Sequence, residues 1–381
     1  MAVLSEHRTK ITLDLDPPMQ LEVNTQQLTM DLEWVPFIQA TLSCALGDGA
    51  IADVDPLADD IWATLTVRKL LGRVDRLGDL TRKYRGKTLG DVTADFAGGT
   101  LTDVTLAVYH DYTEPGHPMR SQDRDFRLML RDQTVDRKAG TVALSLASGE
   151  ARLFDDAWTA AEYTIPGATI RDCLEWVLAR SGFTLTTVAG EAPVLPSWVL
   201  GDTRIWQPGQ TAWEVLQQMA RSRNYLMYCD EDGHFHANYS RGTPYTRTLR
   251  SAGASRSVVN AVEKRSRDDG WYTAVQVVFT RAGVTTRGFA TTPGEPVKIY
   301  TRTYPAEWGA PSDPDALAEN IRQQIVGRAR SLELLAVSDY ALTPGDGAVF
   351  ISPRGSLAGK CSAVQWNWPA DEMSVRMREV A

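Results

Sequence analysis

The chain has few of the residues and patterns that most often identify a chemistry. It holds four cysteines and five histidines in 381 residues, and no two cysteines have the C-x-x-C spacing of a metal or redox pair. Scattered cysteines in a chain this long indicate free, buried thiols made in a reducing compartment. No window reaches the roughly 20 apolar residues of a membrane helix, and the N-terminus lacks the apolar stretch of a signal peptide. We therefore expect a soluble protein made in the cytoplasm.

The charge balance argues against a protein that clamps nucleic acid. Lys and Arg total 40 against 48 Asp and Glu, so the formal net charge is −8. No run is basic enough to bind a phosphate backbone. An acidic protein of this kind binds DNA poorly.

Catalytic signatures are also missing. The sequence has neither the G-x-S-x-G nucleophile turn nor the H-E-x-x-H zinc motif. "YRGKT" and "GSLAGKC" each lack residues that a phosphate-binding loop requires. Neighbouring acids such as Asp155 and Asp156 point to opposite sides of a strand, so they make poor acid–base partners. We predict that the chain is not an enzyme and has no catalytic residues, cofactor or metal.

The residue pattern of the first 155 or so residues predicts mostly β-strands. "IWATLTVR" is the clearest case, because Ile61, Ala63, Leu65 and Val67 alternate with polar or larger side chains. "PFIQATLSCAL", "RDFRLMLRDQTV" and "TVALSLASGEARLF" repeat this alternation. Strands at this frequency, with little helix between them, predict a sandwich or barrel.

Helical patterns begin near residue 160. "ATIRDCLEWVLARSGF" carries an apolar stripe that Thr169 can cap and Gly182 can end. "TAWEVLQQMARSRN" opens with Thr211 and Glu214 at capping-box spacing. The following stretch, "YLMYCDEDGHFHANY", reads as two short strands around a polar turn. Residues 159–252 are therefore predicted to form a small α/β domain with two capped helices and a hairpin.

Strands return from about residue 255. "VEKRSRDDGWYTAVQVVFTR" predicts a hairpin that turns at Asp269–Gly270. A long helix is predicted at about 313–334, with Ser312 or Asp313 as its cap, and a final strand pair follows. The expected fold class is mainly β with an α+β insertion: two β-barrel-like domains, 1–158 and 253–381, flanking the α/β domain 159–252.

The polar turn in "YLMYCDEDGHFHANY" has a second interpretation. Cys229, His234 and His236 can share one sheet face if Cys229 pairs with either histidine, because side chains alternate along a strand. A structural zinc usually has four ligands, however, and no distant Cys/His pair completes the set. The acids also depart from the calcium-loop pattern. We therefore predict a solvated hairpin turn without a metal.

Three segments resemble proteins of long-tailed phages. "TAWEVLQQMARSRNYLMYCDEDGHFHANY" resembles a helix and D-x-D-G hairpin common in tail hub proteins. "LTMDLEWVPFIQATLSCAL" is similar to the start of minor tail proteins of siphophages that infect actinobacteria. "ENIRQQIVGRARSLELLAVSDYALTPGDGAVFI" matches a later helix, strand and Pro-Gly-Asp turn. Together they identify a resemblance to the baseplate hub, or tail-associated (minor tail) protein, of siphophage type, related in fold to the myophage baseplate hub.

The resemblance implies a function and a set of partners. It implies a structural virion protein, a homotrimer at the tail tip that adapts a hexameric tail tube to a threefold tip and forms part of the DNA channel. A distal tail protein or tail tube protein would lie on one side, and tail-tip or fibre proteins and the tape measure protein on the other. DNA would pass only transiently, no membrane would be entered, and assembly would occur in the host cytoplasm. The alternative is a carbohydrate-binding or cell-wall-hydrolysing β-rich tail-tip protein.

Tryptophan is the residue type that most suggests protein contacts here. The chain has 11 tryptophans, and Trp is enriched in binding surfaces because it buries a large apolar area. Core packing competes with this role at every position. The interface candidates are Trp34, Trp62, Trp206, Trp271, Trp366 and Trp368.

Overall fold

The structure is a computed structural model that describes most of the chain. Nothing is described for "YRGKT", for the predicted cap Ser312 or for the predicted turn Asp269–Gly270, which lie outside its ranges. The described residues are 2–46, 51, 54–57, 60–74, 120–167, 169–186, 205–222, 225–238, 246–252, 257–267, 271–281, 283–294, 297–304, 313–325, 328–370 and 372–379.

Strands dominate the described residues, and helices are few. The strands are β1 Ala2–Leu13, β2 Met19–Asp31, β3 Ile38–Ala45, β4 Trp62–Val74, β5 Arg120–Asp136, β6 Thr141–Ala147, β7 Tyr163–Thr164, β8 Ile205–Trp206, β9 Leu226–Cys229, β10 Phe235–Asn238, β11 Thr246–Arg250, β12 Val258–Arg265, β13 Ala274–Arg281, β14 Val284–Thr291, β15 Ile299–Tyr304, β16 Arg330–Val337, β17 Gly347–Ser352, β18 Gly355–Trp368 and β19 Glu372–Glu379. The helices are α1 Glu150–Asp155, α2 Ile170–Arg180, α3 Ala212–Ser222 and α4 Pro314–Ile325. No helix in these ranges is both long and apolar enough to cross a membrane.

The first six strands form a closed barrel. Around the barrel the order is β1-β4-β5-β6-β3-β2, and β2 pairs back with β1. The predicted inward residues Ile61, Ala63, Leu65 and Val67 are at most 5% exposed, which confirms the alternation read from the sequence. Closure leaves no free edge around these six strands, and the inward side chains fill the interior.

Strand β2 joins this barrel to a second set of strands. The first half of β2 pairs with β1, and its second half pairs along the same edge with β18. Strand β18 behaves in the same way, because it pairs with β17 in its first half and with β2 in its second. Six strands then follow in the order β12-β16-β19-β18-β17-β11. The ends of β12 and β11 approach each other, since the Ser257 N–H donates to the Arg250 carbonyl at 2.9 Å.

The helices α2 and α3 belong to a separate cluster with its own hydrophobic core. Thr169 and Asp172 exchange hydrogen bonds of 3.1 and 2.9 Å, which cap α2. Thr211 and Glu214 do the same for α3 at 2.9 and 3.2 Å, which confirms the predicted capping box. Gly182 has a φ of 83° after α2, the left-handed conformation expected where the helix ends.

Helix α4 packs on a three-stranded sheet, β14-β13-β15. It contacts β14 closely, because a side-chain carbon at Gly288 would lie 2.1 Å from the Pro314 carbonyl oxygen. Asp313 caps the helix by accepting the Ala316 N–H at 2.9 Å. The predicted helix at 313–334 is too long, since α4 ends at Ile325 and β16 occupies the later part. Leu332 fits both a helical stripe and the buried alternation of a strand, which explains the error.

The predicted hairpin around residues 262–281 is also wrong. Strand β12 pairs with β16, whereas β13 pairs with β14 and β15, so the two segments belong to different sheets. The chain end is as predicted, because β18 and β19 pair across the turn after Trp368. "GSLAGKC" lies inside β18, where an extended strand cannot form a phosphate-binding loop.

The buried apolar residues fall into three clusters. The first combines the barrel with the strands near the C-terminus, including β16, β18 and β19. The second spans residues 153–237 and the third spans residues 275–325. The domain boundaries at residues 158 and 252 remain a prediction. The buried apolar residues of β16, β18 and β19 pack in one cluster with the first barrel, whereas those of β13–β15 belong to another cluster.

Candidate functional site

The turn between β2 and β3 carries the acidic-Trp-x-Pro motif, and buried polar contacts hold it. Asp31 is 1% exposed, and its Oδ1 accepts the Glu33 N–H at 2.9 Å. The Asp31 N–H donates to the Phe37 carbonyl at 3.1 Å, and the Trp34 N–H donates to the Asp31 carbonyl at 3.2 Å. A side chain that satisfies backbone donors in this way fixes the turn. We call residues 31–37 the Trp34 turn.

Three arginines connect the Trp34 turn to the strands near the C-terminus. The Glu33 carboxylate forms an ion pair with Arg378 and lies 3.8 Å from Arg328 and 4.0 Å from Arg376. Burial alone would raise the pKa of Glu33, but the Arg378 hydrogen bond and the three positive charges lower it. Burial raises the pKa of Asp31, and Arg376 at 3.4 Å partly offsets the effect. The turn is therefore fixed by charge as well as by hydrogen bonds.

A pocket of about 170 Å³ lies between the Trp34 turn, α3 and β9. Phe37 and Tyr228 line it with ring centroids 5.4 Å apart, and Trp213 also contributes. Trp34 and Val35 line it too and are 49% and 40% exposed, so the apolar lining continues to the protein surface. We call this the α3 pocket.

Arg221 adds a positive charge to the α3 pocket. It lies in the last turn of α3, lines the pocket and remains exposed. Loss of solvent on its packed side lowers its pKa, and the positive charge of Arg302 lowers it further, with Tyr300 opposing. Within the described ranges, no carboxylate pairs with Arg221. The pocket therefore combines an apolar lining with a positive charge, as expected of a surface for an acidic partner.

Arg124 of β5 joins three parts of the molecule, and no sequence motif indicated it. Its Nη2 donates to the Glu231 carboxylate in the β9–β10 turn at 2.9 Å. Its Nη1 donates to the Tyr340 carbonyl at 2.8 Å and the Leu342 carbonyl at 3.4 Å, both between β16 and β17. The guanidinium also lies 5.8 Å from the Trp366 ring centroid. The Glu231 partner is 107 residues away in sequence, so local spacing gave no signal.

Glu150 makes a second buried connection that sequence reasoning missed. It begins α1 and is 1% exposed. Its Oε1 accepts the Cys229 N–H at 2.8 Å, and its Oε2 accepts the Ser148 hydroxyl at 2.5 Å. Burial raises the pKa of Glu150, and the hydrogen bonds from Ser148 and Cys229 oppose that rise. The contact ties the end of β6 to the β9–β10 hairpin, from which it is 79 residues distant.

The β9–β10 hairpin separates the residues that the sequence suggested as a possible ligand set. Cys229 pairs with Phe235, and Tyr228 pairs with His236. Because neighbouring side chains alternate, Cys229 and His236 point to opposite faces. The possibility that both share one face with His234 is therefore wrong.

The polar side chains of that hairpin are used by its own turn. His236 Nε2 lies 2.7 Å from Asp230 Oδ2, and the imidazole stacks on the Tyr228 ring. Asp230 Oδ1 accepts the N–H groups of Asp232 and His234 at 3.0 and 2.8 Å. Asp230, Asp232 and His234 offer ligand atoms within 4.8 Å of one another. Because both Asp230 oxygens already accept hydrogen bonds, the arrangement is explained by the turn alone.

The six candidate tryptophans occupy different environments. Trp206 and Trp366 are 0% exposed, because each packs inside a hydrophobic cluster, and the structure therefore removes them as surface candidates. Trp34 is the most exposed of the six. Trp62, Trp271 and Trp368 are half-buried, and Trp368 donates to the His7 carbonyl at 3.3 Å.

A second groove, of about 530 Å³, lies beside Trp62. The Arg127 guanidinium lies 5.5 Å from the Trp62 ring centroid, and the Phe183 ring packs edge-on at 5.9 Å. Arg152 in the same groove pairs with Asp60 at 2.9 Å. Sugar binding uses an open aromatic face, and these contacts occupy the Trp62 ring. The groove therefore gives no specific support to a carbohydrate site.

The fold described above is similar to that of solved phage tail proteins. No protein-family profile and no curated protein matches the sequence. Among solved structures, a tail protein from Neisseria meningitidis MC58 matches with a TM-score of 0.61 at 12% identity, over 97% of this chain and 96% of that one. The 43 kDa tail protein of prophage MuSo2 from Shewanella oneidensis matches at 0.56 and 13%, over 97% and 98%.

A third solved structure supports the same fold. Prophage tail protein gp18 from Listeria monocytogenes EGD-e matches with a TM-score of 0.54 at 9% identity, over 97% of this chain and 94% of that one. The chain thus has the phage tail protein fold along nearly its whole length. The resemblance to phage tail proteins and the predicted β-rich fold class are confirmed at the level of fold.

Proposed function

We propose that the chain is a structural protein of a phage tail that forms a trimeric hub at the distal tail end. The observation that carries this proposal is the pair of six-stranded units joined through β2 and β18. The closed barrel has the order β2-β3-β6-β5-β4-β1, and the second unit has the order β18-β19-β16-β12-β11-β17 when read across the β12–β11 contact. One edge of β2 pairs first with β1 of its own unit and then with β18 of the other unit. One edge of β18 likewise pairs first with β17 of its own unit and then with β2.

Two similar units in one chain suit an adaptor between rings of different symmetry. Three copies arranged around an axis would present six β units, which matches a hexameric tail tube on one side. The same ring would still present threefold symmetry to tail-tip or fibre proteins on the other side. Rings of this kind are closed by heterologous contacts between neighbouring copies. We propose a distal tail or tube protein as the partner above, and the tape measure protein within the assembly.

The charge of the chain supports a role around a DNA channel. A net charge of −8 repels the phosphate backbone, so DNA can pass without being held. We infer a structural role without catalysis, because the site found above offers an exposed apolar surface and half-buried ion pairs. The carbohydrate-binding or cell-wall-hydrolysing alternative has no comparable support, since the Trp62 ring is already occupied.

Labelling of virions tests the proposed position. Gold-conjugated antibodies raised against the purified chain should bind particles at the end of the tail remote from the capsid. A matched serum depleted on the purified chain serves as the control and should leave the tail end unlabelled. Label along the whole tail, on the capsid or on none of the particles would contradict a hub at the distal end.

A further inference from the structure

The α3 pocket displays apolar surface that the fold holds in place. Trp34 and Val35 are exposed, although the turn that carries them is fixed by Asp31 and by the arginines around Glu33. A loosely held tryptophan could fold back onto the protein, but this turn prevents it. An exposed aromatic on a rigid turn beside a cavity is typical of a binding surface.

The charge at the α3 pocket specifies the kind of partner. Arg221 is exposed, has no carboxylate partner within the described ranges, and lies within the field of Arg302. Two like charges at one surface repel each other, and an arriving carboxylate would relieve that repulsion. The partner surface should therefore carry an apolar side chain next to acidic groups.

A loop of the same chain has that chemistry. Leu57, between β3 and β4, is 92% exposed, more than any other large hydrophobic residue in the described ranges. Its N–H donates to Asp55 Oδ1 at 2.9 Å, which fixes the loop and places a carboxylate beside the leucine. The sequence around it, "VDPLADD", adds Asp59 and Asp60, of which Asp60 pairs with Arg152 at 2.9 Å. We call residues 54–57 the Leu57 loop.

We infer that the Leu57 loop of one copy docks into the α3 pocket of the next copy. The leucine would enter beside Trp34, and Asp55 would face Arg221. The two surfaces are different, so the contact is heterologous and can close a ring instead of ending at a dimer. The inference rests on the proposed ring and names the surfaces that build it.

Two surface variants test the contact separately. A pocket variant carries Trp34→Ala with Arg221→Glu, and a loop variant carries Leu57→Lys. Each should weaken self-association by about 10- to 100-fold, because a buried leucine and an opposed charge are lost. Val284→Lys is the matched control for Leu57→Lys, since Val284 is another exposed apolar residue, at 68% exposure, and is far from both surfaces in sequence. All changed residues are exposed, so folding should be unaffected, which circular dichroism checks.

Mixing the two variants gives the decisive readout. The pocket variant has an unchanged Leu57 loop, and the loop variant has an unchanged α3 pocket, so one copy of each can form one contact. Both remaining surfaces of that pair are altered, so no third copy can be added and no ring can close. Sedimentation should show monomers for each variant alone and a 1:1 dimer, twice the 42.1 kDa chain mass, for the mixture. Rings that survive in either variant, or a mixture that stays monomeric, would refute the docking pair while leaving the ring itself intact. A wild-type chain that is monomeric at all concentrations would instead refute the proposed function.

Discussion

Replacing Arg124 by alanine is expected to lower the free energy of unfolding by about 2 to 4 kcal/mol. The change removes the 2.9 Å ion pair between Arg124 and the Glu231 carboxylate, whose side chain is 26% exposed. It also removes the donor to the carbonyls of Tyr340 and Leu342. Polar groups that lose their partners away from water are costly, and here they belong to three different parts of the fold. Chemical denaturation followed by tryptophan fluorescence measures the change.

Arg68→Ala is the matched control for that experiment. Arg68 lies on β4, the strand next to Arg124, and pairs with Asp123 at 2.6 Å in an exposed position. Exposed ion pairs contribute little, so the control should be much closer to wild type. Hydrogen exchange should also quicken around Tyr340 in the Arg124 variant alone. An Arg124 variant that is as stable as the Arg68 variant would show that Arg124 does not hold the three parts together.

Glu150→Ala is expected to lower the free energy of unfolding by about 3 kcal/mol. The alanine leaves the Cys229 N–H without its 2.8 Å acceptor in a site where Glu150 is 1% exposed. It also removes one of the two acceptors of the Ser148 hydroxyl, which still has the Ile38 carbonyl at 3.3 Å. Glu150→Gln retains the shape and an acceptor oxygen and should lose less. Equal losses for the two variants would mean that the hydrogen bond to Cys229 is not the important contact.

The glutamine variant also isolates a dependence on pH. Burial raises the pKa of Glu150 above its ordinary value, so the folded protein binds a proton that the unfolded chain has already released. Stability from this group is complete below the ordinary pKa and falls as the pH rises through the raised folded pKa. Glutamine cannot ionise. The stability of Glu150→Gln relative to wild type should therefore increase as the pH rises, and a constant difference would contradict the buried, proton-binding site.

Local patterns in the sequence were sufficient for much of the secondary structure. The alternation in β4 and the capping box of Thr211 and Glu214 each depend on residues a few positions apart. The sequence patterns predicted a wrong secondary structure where the same residues fit both the helical and the strand periodicity, as at Leu332. They also failed where a turn pair suggested a hairpin, because β12 finds its partner β16 far along the chain. Strand register is decided by packing on both faces, which is why the sequence could not decide whether Cys229 shares a sheet face with His236.

The candidate site was predicted only in part. Trp34 was named from the motif, and it proved to be exposed on a fixed turn. The acceptors that fix the turn lie within it, but the charges of Arg376 and Arg378 come from β19, hundreds of residues later, so spacing could not reveal them. Trp206 and Trp366 were equally plausible from sequence, since a tryptophan in a strand can face either side. Only the three-dimensional pairing distinguishes a core tryptophan from a surface one.

Class averages of the purified wild-type chain, recorded by electron microscopy, test the central claim most directly. We expect a ring with threefold symmetry, a central opening, and six β lobes around it that alternate between two slightly different shapes. The alternation follows from the closed barrel and the second six-stranded unit in each copy. Single copies without a ring, or rings whose symmetry is not threefold, would contradict the trimeric hub.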